Sequence, residues 1–214
     1  MRYAKHAFIF ILLLLIPSAA AAQNRFEVSP FVGWRQGNDI SDTSGIRVDL
    51  DSGVAYGFMV DVGITSNVYV EFIYSYRKTN GQLTVPPGLP EPGPVGNFDI
   101  EGNIDYYQGG VLYQWDIRSQ PKIKPFIVGT LGAASLRSAD GGQSNTRFSL
   151  GGGAGVKIMF SRNVGFRGEY RLFSTGTDFT DAGGWCDWWG FCYTFLVDQR
   201  FYQSQFSAAL TVGF

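Results

Sequence analysis

The stretch FYQSQFSAALTVGF at residues 201–214 has the pattern that decides the fold. Apolar side chains occupy every second position, and mostly polar or small side chains occupy the positions between them. We call these two sets of alternate positions the apolar and the polar parity. Because a strand sends successive side chains to opposite faces, the stretch predicts a strand with two unlike faces. The apolar parity consists of Tyr202, Phe206, Ala208, Leu210, Val212 and Phe214. A half-buried strand of a soluble sheet would look the same, so the surroundings of this strand must be inferred from the rest of the chain.

Seven further stretches upstream have strand character. They are residues 25–35, 54–64, 68–77, 106–115, 123–135, 147–160 and 164–173. Six of them alternate clearly, whereas 123–135 is apolar but ambiguous in phase. Together with the last stretch they predict eight strands.

The connections between these stretches alternate in length. Short ones lie at 65–67, 118–122 and 161–163, and longer polar ones at 36–53, 78–103, 136–146 and 174–200. The sequence therefore predicts an all-β, eight-stranded antiparallel up-and-down barrel. Its short turns would meet at one end, and its long loops at the other.

The N-terminus predicts a secretory signal peptide at residues 1–22, followed by a single barrel domain at 23–214. Arg2 and Lys5 precede the apolar run AFIFILLLLI (7–16), and the small residues PSAAAA (17–22) prepare cleavage after Ala22. The run is short for a membrane span, although an uncleaved anchor is the alternative. An exported chain without an apolar helix crosses a membrane only as a closed barrel.

Eight alternating strands fit two kinds of barrel, which differ in the direction of the apolar parity. It points inward in a soluble ligand-carrying barrel and outward to lipid in a membrane barrel. The polar parity of this chain mixes Gly and Ser with charges of both signs, which suits a narrow interior where charges pair. Several strands also run ten or more residues, the length of a tilted span. We therefore expect a transmembrane barrel.

The charged residues of the polar parity predict a charge network that fills the lumen. Its members are Glu27, Asp61, Glu71, Arg147, Lys157, Arg167, Glu169 and Arg171. Arg35 is expected to pair with the same acids, and Arg77 shares the parity.

Aromatic residues of the strands predict two belts, as the two membrane interfaces favour. Those near the long loops are Trp34, Tyr74, Tyr76, Tyr107 and Tyr170, and those near the short turns are Tyr113, Trp115, Phe160, Phe166 and Phe214. The alternative is that aromatic residues simply favour strands.

The final strand, which ends SAALTVGF, resembles the outer-membrane β-barrel superfamily of Gram-negative bacteria, the group around the transmembrane domain of outer-membrane protein A. The signal peptide, the eight strands and PFIVGTLGAA (125–134) fit the same family. The resemblance implies a bacterial outer-membrane location and an assembly signal formed by Phe206, Leu210, Val212 and Phe214, which the barrel-assembly machinery reads. Since the sequence ends at Phe214, we expect no peptidoglycan-binding domain.

The sequence offers no motif for catalysis, a cofactor or a metal site. Its only histidine, His6, lies in the predicted signal peptide, so Ser–His chemistry is excluded for the mature chain. Carboxylate-only hydrolysis would need the lumen acids, which are better explained as ion-pair partners. The formal charge of −1, without basic clusters, gives nucleic-acid binding no support.

The stretch WCDWWGFCY (185–193) is the most unusual segment of the last long loop. Two cysteines in an exported chain predict a disulfide between Cys186 and Cys192. The candidate contact residues of this loop are Trp185, Trp188, Trp189 and Phe191. They would either form a contact surface for a ligand or pack on one another and cap the barrel.

The predicted function is a structural or surface-interaction role, of the adhesion type, through the loops at 36–53, 78–103 and 174–200. A narrow, porin-like pore for small solutes is the alternative, although eight strands enclose little more than their own side chains. The expected partners are outer-membrane lipid, lipopolysaccharide, the barrel-assembly machinery and a surface ligand that the sequence does not identify. We expect a non-enzymatic monomer.

Overall fold

Eight long strands form the framework of the protein. The computed structural model describes residues 26–37, 39–41, 47–85, 96–138, 144–176, 185–186, 192–193 and 201–214. The strands are β1 Phe26–Arg35, β2 Gly53–Gly63, β3 Val68–Val85, β4 Gly96–Gln114, β5 Ile123–Ser138, β6 Ser144–Met159, β7 Val164–Thr175 and β8 Phe201–Gly213. Each overlaps a stretch that the sequence predicts to be a strand. The predicted signal peptide lies outside the described residues.

The eight strands close into a barrel. Each pairs antiparallel with its neighbours in the chain, and β8 pairs with β1. A path of facing residues that leaves β1 at Phe26 returns to it at Gln36, ten residues further along. The path runs through Val62, Val70, Val111, Gly129, Gly152, Leu172 and Ser204. This stagger tilts the strands about 35–45° from the barrel axis.

Strand pairing extends beyond the predicted strand ends at the long-loop end. β3 and β4 pair without interruption from Val68↔Tyr113 to Val85↔Gly96, so the predicted loop at 78–103 is largely a hairpin. We call residues 78–85 and 96–103 the β3–β4 arm. Its strands were missed because the outer parity, which is apolar from Val70 to Tyr76, becomes polar at Lys78, Asn80 and Gln82, while the backbone ladder continues regardless of polarity.

Parts of the other predicted long loops are also strand. Asp39–Ser41 and Arg47–Leu50 form two short strands, and the latter pairs with the β3 side of the arm from Arg47↔Thr84 to Leu50↔Gly81. β5 continues to Ser138 and β6 begins at Ser144, which shortens the predicted loop at 136–146. The predicted loop lengths at these places were therefore wrong.

The two faces of each strand differ in exposure as the alternation predicts. On β8, Phe206 and Leu210 are 55% and 51% exposed on the outer face, whereas Gln205 is 1% exposed inside. β5 has the phase that the sequence left open: Phe126 points inward at 1% exposure, and Ile127 points outward at 50%. Its phase was ambiguous because this strand also contributes apolar side chains to the lumen.

Aromatic side chains lie on the outer face towards both ends of the barrel. At the short-turn end, the rings of Tyr113 and Trp115 are 5.0 Å apart. Towards the long-loop end, the rings of Tyr74 and Tyr107 are also 5.0 Å apart, and the Tyr74 hydroxyl donates a hydrogen bond to Asp105 Oδ1 at 2.8 Å. Hydrogen-bonded aromatic side chains suit a membrane interface, where one end of the ring is apolar and the other is wet.

The interior is packed with side chains along its length. Three apolar clusters lie between the polar groups: Phe31, Met59, Ile73 and Ala209; Tyr69, Leu112, Phe126 and Val128; and Ile104, Tyr106, Ala134 and Phe173. The last cluster also contacts Leu50 and Leu136 at the long-loop end. Among the described residues, no helix is long and apolar enough to cross a membrane.

Candidate functional site

Seven charged side chains from five strands meet inside the barrel, and we call them the lumen network. All are at most 6% exposed. The acids are Glu27 on β1, Asp61 on β2, Glu71 on β3 and Glu169 on β7, and the cations are Lys157 on β6 and Arg167 and Arg171 on β7. The strand period places each of them on the inner face, and the pairing register brings them to similar depth.

Lys157 anchors the short-turn end of the lumen network. Its Nζ donates hydrogen bonds to Glu27 Oε2 at 2.6 Å and to Asp61 Oδ2 at 2.8 Å. The ammonium also lies 5.1 Å from the centroid of the Tyr69 ring. One cation therefore ties two acids from neighbouring strands to β6 on the other side of the barrel.

Arg167 connects the largest number of acids. Its Nη1 donates to Asp61 Oδ2 at 3.0 Å and its Nη2 to Glu71 Oε2 at 2.5 Å. Its Nε and Nη2 both donate to Glu169 Oε2, at 2.9 and 2.5 Å. The guanidinium carbon lies 4.4 Å from the centroid of the Phe126 ring. Arg167 is thus held by three carboxylates and an aromatic face.

Arg171 completes the lumen network on its long-loop side. Its Nε donates to Glu169 Oε1 and its Nη2 to Glu71 Oε1, both at 2.5 Å. Glu71 and Glu169 thereby each join the same two arginines. Burying charge is costly unless each group is paired and hydrogen-bonded. All four carboxylates of the network meet that condition.

Two predicted partners of these acids lie elsewhere. Arg35, at the long-loop end of β1, donates from Nε and Nη2 to Gln205 Oε1 at 3.0 and 2.7 Å, and from Nη2 to Ser75 Oγ. The expectation that it pairs with the acids was wrong, because parity fixes its face but not its height in the lumen. Arg147 is partly exposed and faces Ala134 across the β5–β6 ladder.

Glycines on the inner face of β6 make room for side chains from other strands. A Cβ at Gly155 would lie 2.5 Å from Phe126 Cζ, and one at Gly151 would lie 2.4 Å from Gln108 Oε1. Gly153 lies between them on the same face. Gly151, Gly153 and Gly155 thus form a flat inner wall against which larger side chains pack, as expected for glycine in a strand.

Uncharged polar residues of the lumen were missed by the sequence reasoning. Gln205 and Gln108 are both 1% exposed, and Gln108 exchanges hydrogen bonds with Ser149 Oγ at 2.9 Å and Thr130 Oγ1 at 2.8 Å. Their inward parity was available as a signal.

The candidate residues of the last long loop are largely outside the described part of the chain. Trp188, Trp189 and Phe191 lie outside it, and only the backbone is described at Trp185, Cys186 and Cys192. In that backbone Cys186 faces Cys192 directly across a two-stranded ladder. The disulfide itself remains a prediction.

The residues of the predicted assembly signal share the outer face of β8. Phe206, Leu210 and Phe214 are 55%, 51% and 58% exposed, and Val212 is partly buried. The backbone N–H of Phe214 donates to the carbonyl of Phe26 at 2.8 Å, which ties the end of β8 to the start of β1. This arrangement leaves the terminal rings available on the outer surface. Their recognition during assembly remains a prediction.

A comparison with protein families decides the identity of this barrel. The model of the outer membrane protein beta-barrel domain matches residues 8–213. The chain belongs to this family. It is therefore a protein of the bacterial outer membrane, and the expected family, fold and location are confirmed. In such barrels the short turns face the periplasm and the longer loops face outward.

Solved structures with the same fold support the assignment of this outer-membrane barrel. Neisserial surface protein A is 15% identical, with 88% of this chain and 97% of that chain covered and a TM-score of 0.57. OprG from Pseudomonas aeruginosa is 12% identical, with 88% and 95% covered and a TM-score of 0.55. At this identity the likeness concerns the fold alone. Among curated proteins, none matches this sequence significantly.

The described residues of this outer-membrane barrel include no group of three or more His, Cys, Asp or Glu placed to hold a metal ion. The lumen carboxylates are instead engaged by Lys157, Arg167 and Arg171. The lumen network is therefore the candidate functional site of this barrel.

Proposed function

We propose that this outer-membrane barrel is a closed, non-enzymatic protein with a structural or surface-interaction role. The proposal has two parts: the lumen is a sealed interior, and the long-loop end is the interacting surface. Each part has its own support and its own experiment.

The observation that carries the first part is that ion pairs cross the lumen. In a ring of eight strands, β7 and β3 lie on opposite sides, and both Arg167 and Arg171 on β7 bind Glu71 on β3. Lys157 on β6 likewise reaches Asp61 on β2. An eight-stranded barrel has an interior just wide enough for side chains, so these links leave little room for a solute.

The same contacts argue against catalysis. A general acid or nucleophile must present an available carboxyl group to a substrate. Glu27, Asp61, Glu71 and Glu169 are each held by cations at 2.5–3.0 Å and are buried. A substrate would have to break this buried network before it could react.

The support for the second part is the β3–β4 arm. β3 and β4 have 18 and 19 residues, whereas a tilted membrane span needs about 9–11. The excess residues project beyond the barrel, and the outer face of the arm is polar, with exposed Lys78, Asn80, Gln82, Asp99 and Glu101. A paired hairpin displays such side chains at a lower entropic cost than a flexible loop does.

The remaining partners in this proposal follow from the outer surface. Outer-membrane lipid would surround the apolar outer face of the strands. Lipopolysaccharide would contact the long-loop end of that face, where Lys78 and Arg137 have side-chain exposures of 61% and 55%. The barrel-assembly machinery would read the outer face of β8 up to Phe214. We propose that the barrel acts as a monomer, because its strand edges are satisfied by closure.

A narrow pore for small solutes is the second candidate. Gly151, Gly153 and Gly155 favour it, since they leave one inner wall without side chains. The space beside them is occupied, however, by Gln108 and Phe126. Conduction would therefore require the lumen network to rearrange.

Planar-bilayer recording separates the sealed barrel from the pore. We expect the purified wild-type barrel to give no steady conductance. The double variant Arg167→Ala/Arg171→Ala should conduct, because it removes the links from β7 to Glu71 on β3. Lys78→Ala, an exposed cation on the outer face, is the matched control and should stay silent. Steady wild-type conductance that Arg167→Ala alters would favour the pore instead.

Trimming the arm tests the surface role. Thr79 faces Gly102 across the β3–β4 ladder, so residues 80–101 can be replaced by Asn-Gly, which closes a two-residue hairpin. Cells that display the full barrel should adhere to surface glycans or matrix proteins better than cells that display the trimmed barrel. Resistance to unfolding in cold detergent verifies that the trimmed barrel is folded. Equal adhesion by full-length, trimmed and barrel-free cells would contradict this role.

A further inference from the structure

Two buried arginines lie above the lumen network, towards the outer mouth of the barrel. Arg35 on β1 and Arg77 on β3 are both 0% exposed. Within the described ranges, neither forms an ion pair with a carboxylate; the buried acids are engaged by Lys157, Arg167 and Arg171 instead. The mouth of the lumen thus holds two positive charges that no carboxylate of the described residues contacts directly, although Asp105 and Asp51 act on them electrostatically from further away.

The contacts of these arginines place them side by side. Arg77 Nη1 donates to the backbone carbonyl of Arg35 at 3.1 Å, and its Nη2 donates to the carbonyl of Asp51 at 2.7 Å and to Thr79 Oγ1 at 2.6 Å. The Arg35 guanidinium carbon lies 4.7 Å from the centroid of the Tyr106 ring. Both arginines are therefore fixed by neutral oxygens and a ring.

Gln203 on β8 joins the same group through Tyr106. The Tyr106 hydroxyl donates a hydrogen bond to Gln203 Oε1 at 2.9 Å. The nitrogen of the same amide group takes no part in this bond. That nitrogen, Gln203 Nε2, is buried without a hydrogen-bond partner, and so are Arg35 Nη1 and Arg77 Nε. β1, β3 and β8 thus each supply one buried donor without a hydrogen-bond partner.

The buried polar atoms without partners are sorted by type along the lumen. Among the described residues, those of the mouth group are all donors, as is Arg171 Nη1 at the upper side of the lumen network. Nearer the short turns they are acceptors, Asp61 Oδ1 and Gln114 Oε1. Three of these four donors belong to arginine, whose side chain has donors only. The mouth therefore combines buried donors without a hydrogen-bond partner with the charges of Arg35 and Arg77.

We propose that the outer mouth of the lumen binds one small oxyanion between Arg35, Arg77 and Gln203. A phosphate, sulfate or carboxylate group supplies both the missing charge and several acceptor oxygens, and arginine donors suit such groups. Leaving the donors unmet would cost the desolvation free energy of each group. The site does not depend on the adhesion role, and either a free ion or an anionic group of a larger surface molecule could supply the oxyanion.

Titration of the purified barrel with sodium sulfate tests this site, at constant ionic strength and in a non-ionic detergent. We expect saturable binding of one sulfate per barrel, measured by calorimetry and by a rise in the temperature at which the barrel loses its compact electrophoretic form. Arg77→Gln should weaken the binding at least tenfold. Lys78→Gln removes the same charge from the adjacent, outward-facing position and should leave the binding unchanged.

Two further variants keep the test decisive if Arg77→Gln does not fold. Arg77→Lys retains the charge but loses the guanidinium donors, so it should weaken binding less than Arg77→Gln does. Gln203→Met removes one donor without changing the charge and should weaken binding severalfold. Absence of saturable wild-type binding would overturn the proposal. So would equal weakening by Lys78→Gln, which would indicate general salt screening.

A sulfated oligosaccharide, compared with sulfate, distinguishes the sources of the oxyanion. Binding of the oligosaccharide at least tenfold tighter than sulfate, and lost in Arg77→Gln, supports the site and assigns it to a surface glycan. Equal affinity for both supports the site and assigns it to a free ion. Oligosaccharide binding that survives in Arg77→Gln while sulfate does not bind would contradict the site.

Discussion

Replacement of Arg167 by Met probes the stability of the lumen network most directly. The guanidinium is fully buried and donates four hydrogen bonds to three carboxylates, those of Asp61, Glu71 and Glu169. Methionine keeps much of the side-chain volume and the contact with Phe126 but removes the charge. The two cations that remain, Lys157 and Arg171, cannot neutralise four buried carboxylates.

The expected loss follows from the cost of an uncompensated buried charge. Breaking one buried ion pair by removing a partner typically costs about 3–5 kcal/mol. Water that enters the lumen would offset part of the additional cost from the other two carboxylates. We therefore expect Arg167→Met to lower the free energy of unfolding by about 4 kcal/mol, close to a 1,000-fold change in the folding equilibrium constant. Lys78→Met, whose exposed pair with Glu101 is worth at most about 1 kcal/mol, is the matched control.

Reversible urea unfolding in lipid vesicles, followed by tryptophan fluorescence, gives these free energies. A double-mutant cycle adds Glu169→Gln, which restores the net charge of the network. Because the two residues are in direct contact, the double variant should be about 1–3 kcal/mol more stable than the sum of the single changes predicts. A loss below 1 kcal/mol for Arg167→Met, or strict additivity in the cycle, would refute the view that a tightly coupled network fills the lumen.

Two further predictions concern the glycine row and the cysteines. Gly155→Ala should destabilise the barrel by about 1–3 kcal/mol in the same urea assay, because its Cβ would lie 2.5 Å from Phe126 Cζ. Gly152→Ala on the outer face of the same strand meets nothing within 4 Å and should be neutral or stabilising by up to about 1 kcal/mol; equal effects at both sites would contradict this packing. Finally, denatured barrel purified without reductant should show no reactive thiol and, after reduction, two, since Cys186 faces Cys192 across a ladder; two reactive thiols before reduction would exclude the disulfide.

Strand positions and faces were predictable because they depend on a period of two within each strand. The membrane enforces that period, since one face meets lipid and the other a lumen of small and charged groups. Beyond the membrane the outer face meets water, so its apolar row becomes polar at Lys78, Asn80 and Gln82 while the backbone ladder continues. This is why the β3–β4 arm was interpreted as a loop. β5 was ambiguous for the opposite reason, because Phe126 makes its inner face apolar as well.

Which lumen side chains contact one another was less predictable than which side chains face the lumen. Parity assigns a side chain to the inner face, but its height depends on the stagger between strands, which no single strand encodes. Glu27 and Arg35 share one face of β1, yet Glu27 binds Lys157, whereas Arg35 lies eight residues further along and contacts Gln205. The ten-residue offset around the barrel decides which charges meet.

The assignment of faces underlies the whole account, and magnetisation transfer between lipid acyl chains and side-chain methyl groups tests it without any substitution. In NMR spectra of methyl-labelled barrel in lipid nanodiscs, the methyls of Val70, Leu172 and Leu210, which are 43–51% exposed, should receive strong transfer from the acyl chains. Those of Ile73 and Leu112, which are at most 1% exposed inside, should receive none. Strong acyl-chain contacts at Ile73 and Leu112, with water contacts at Val70 and Leu210, would contradict the account.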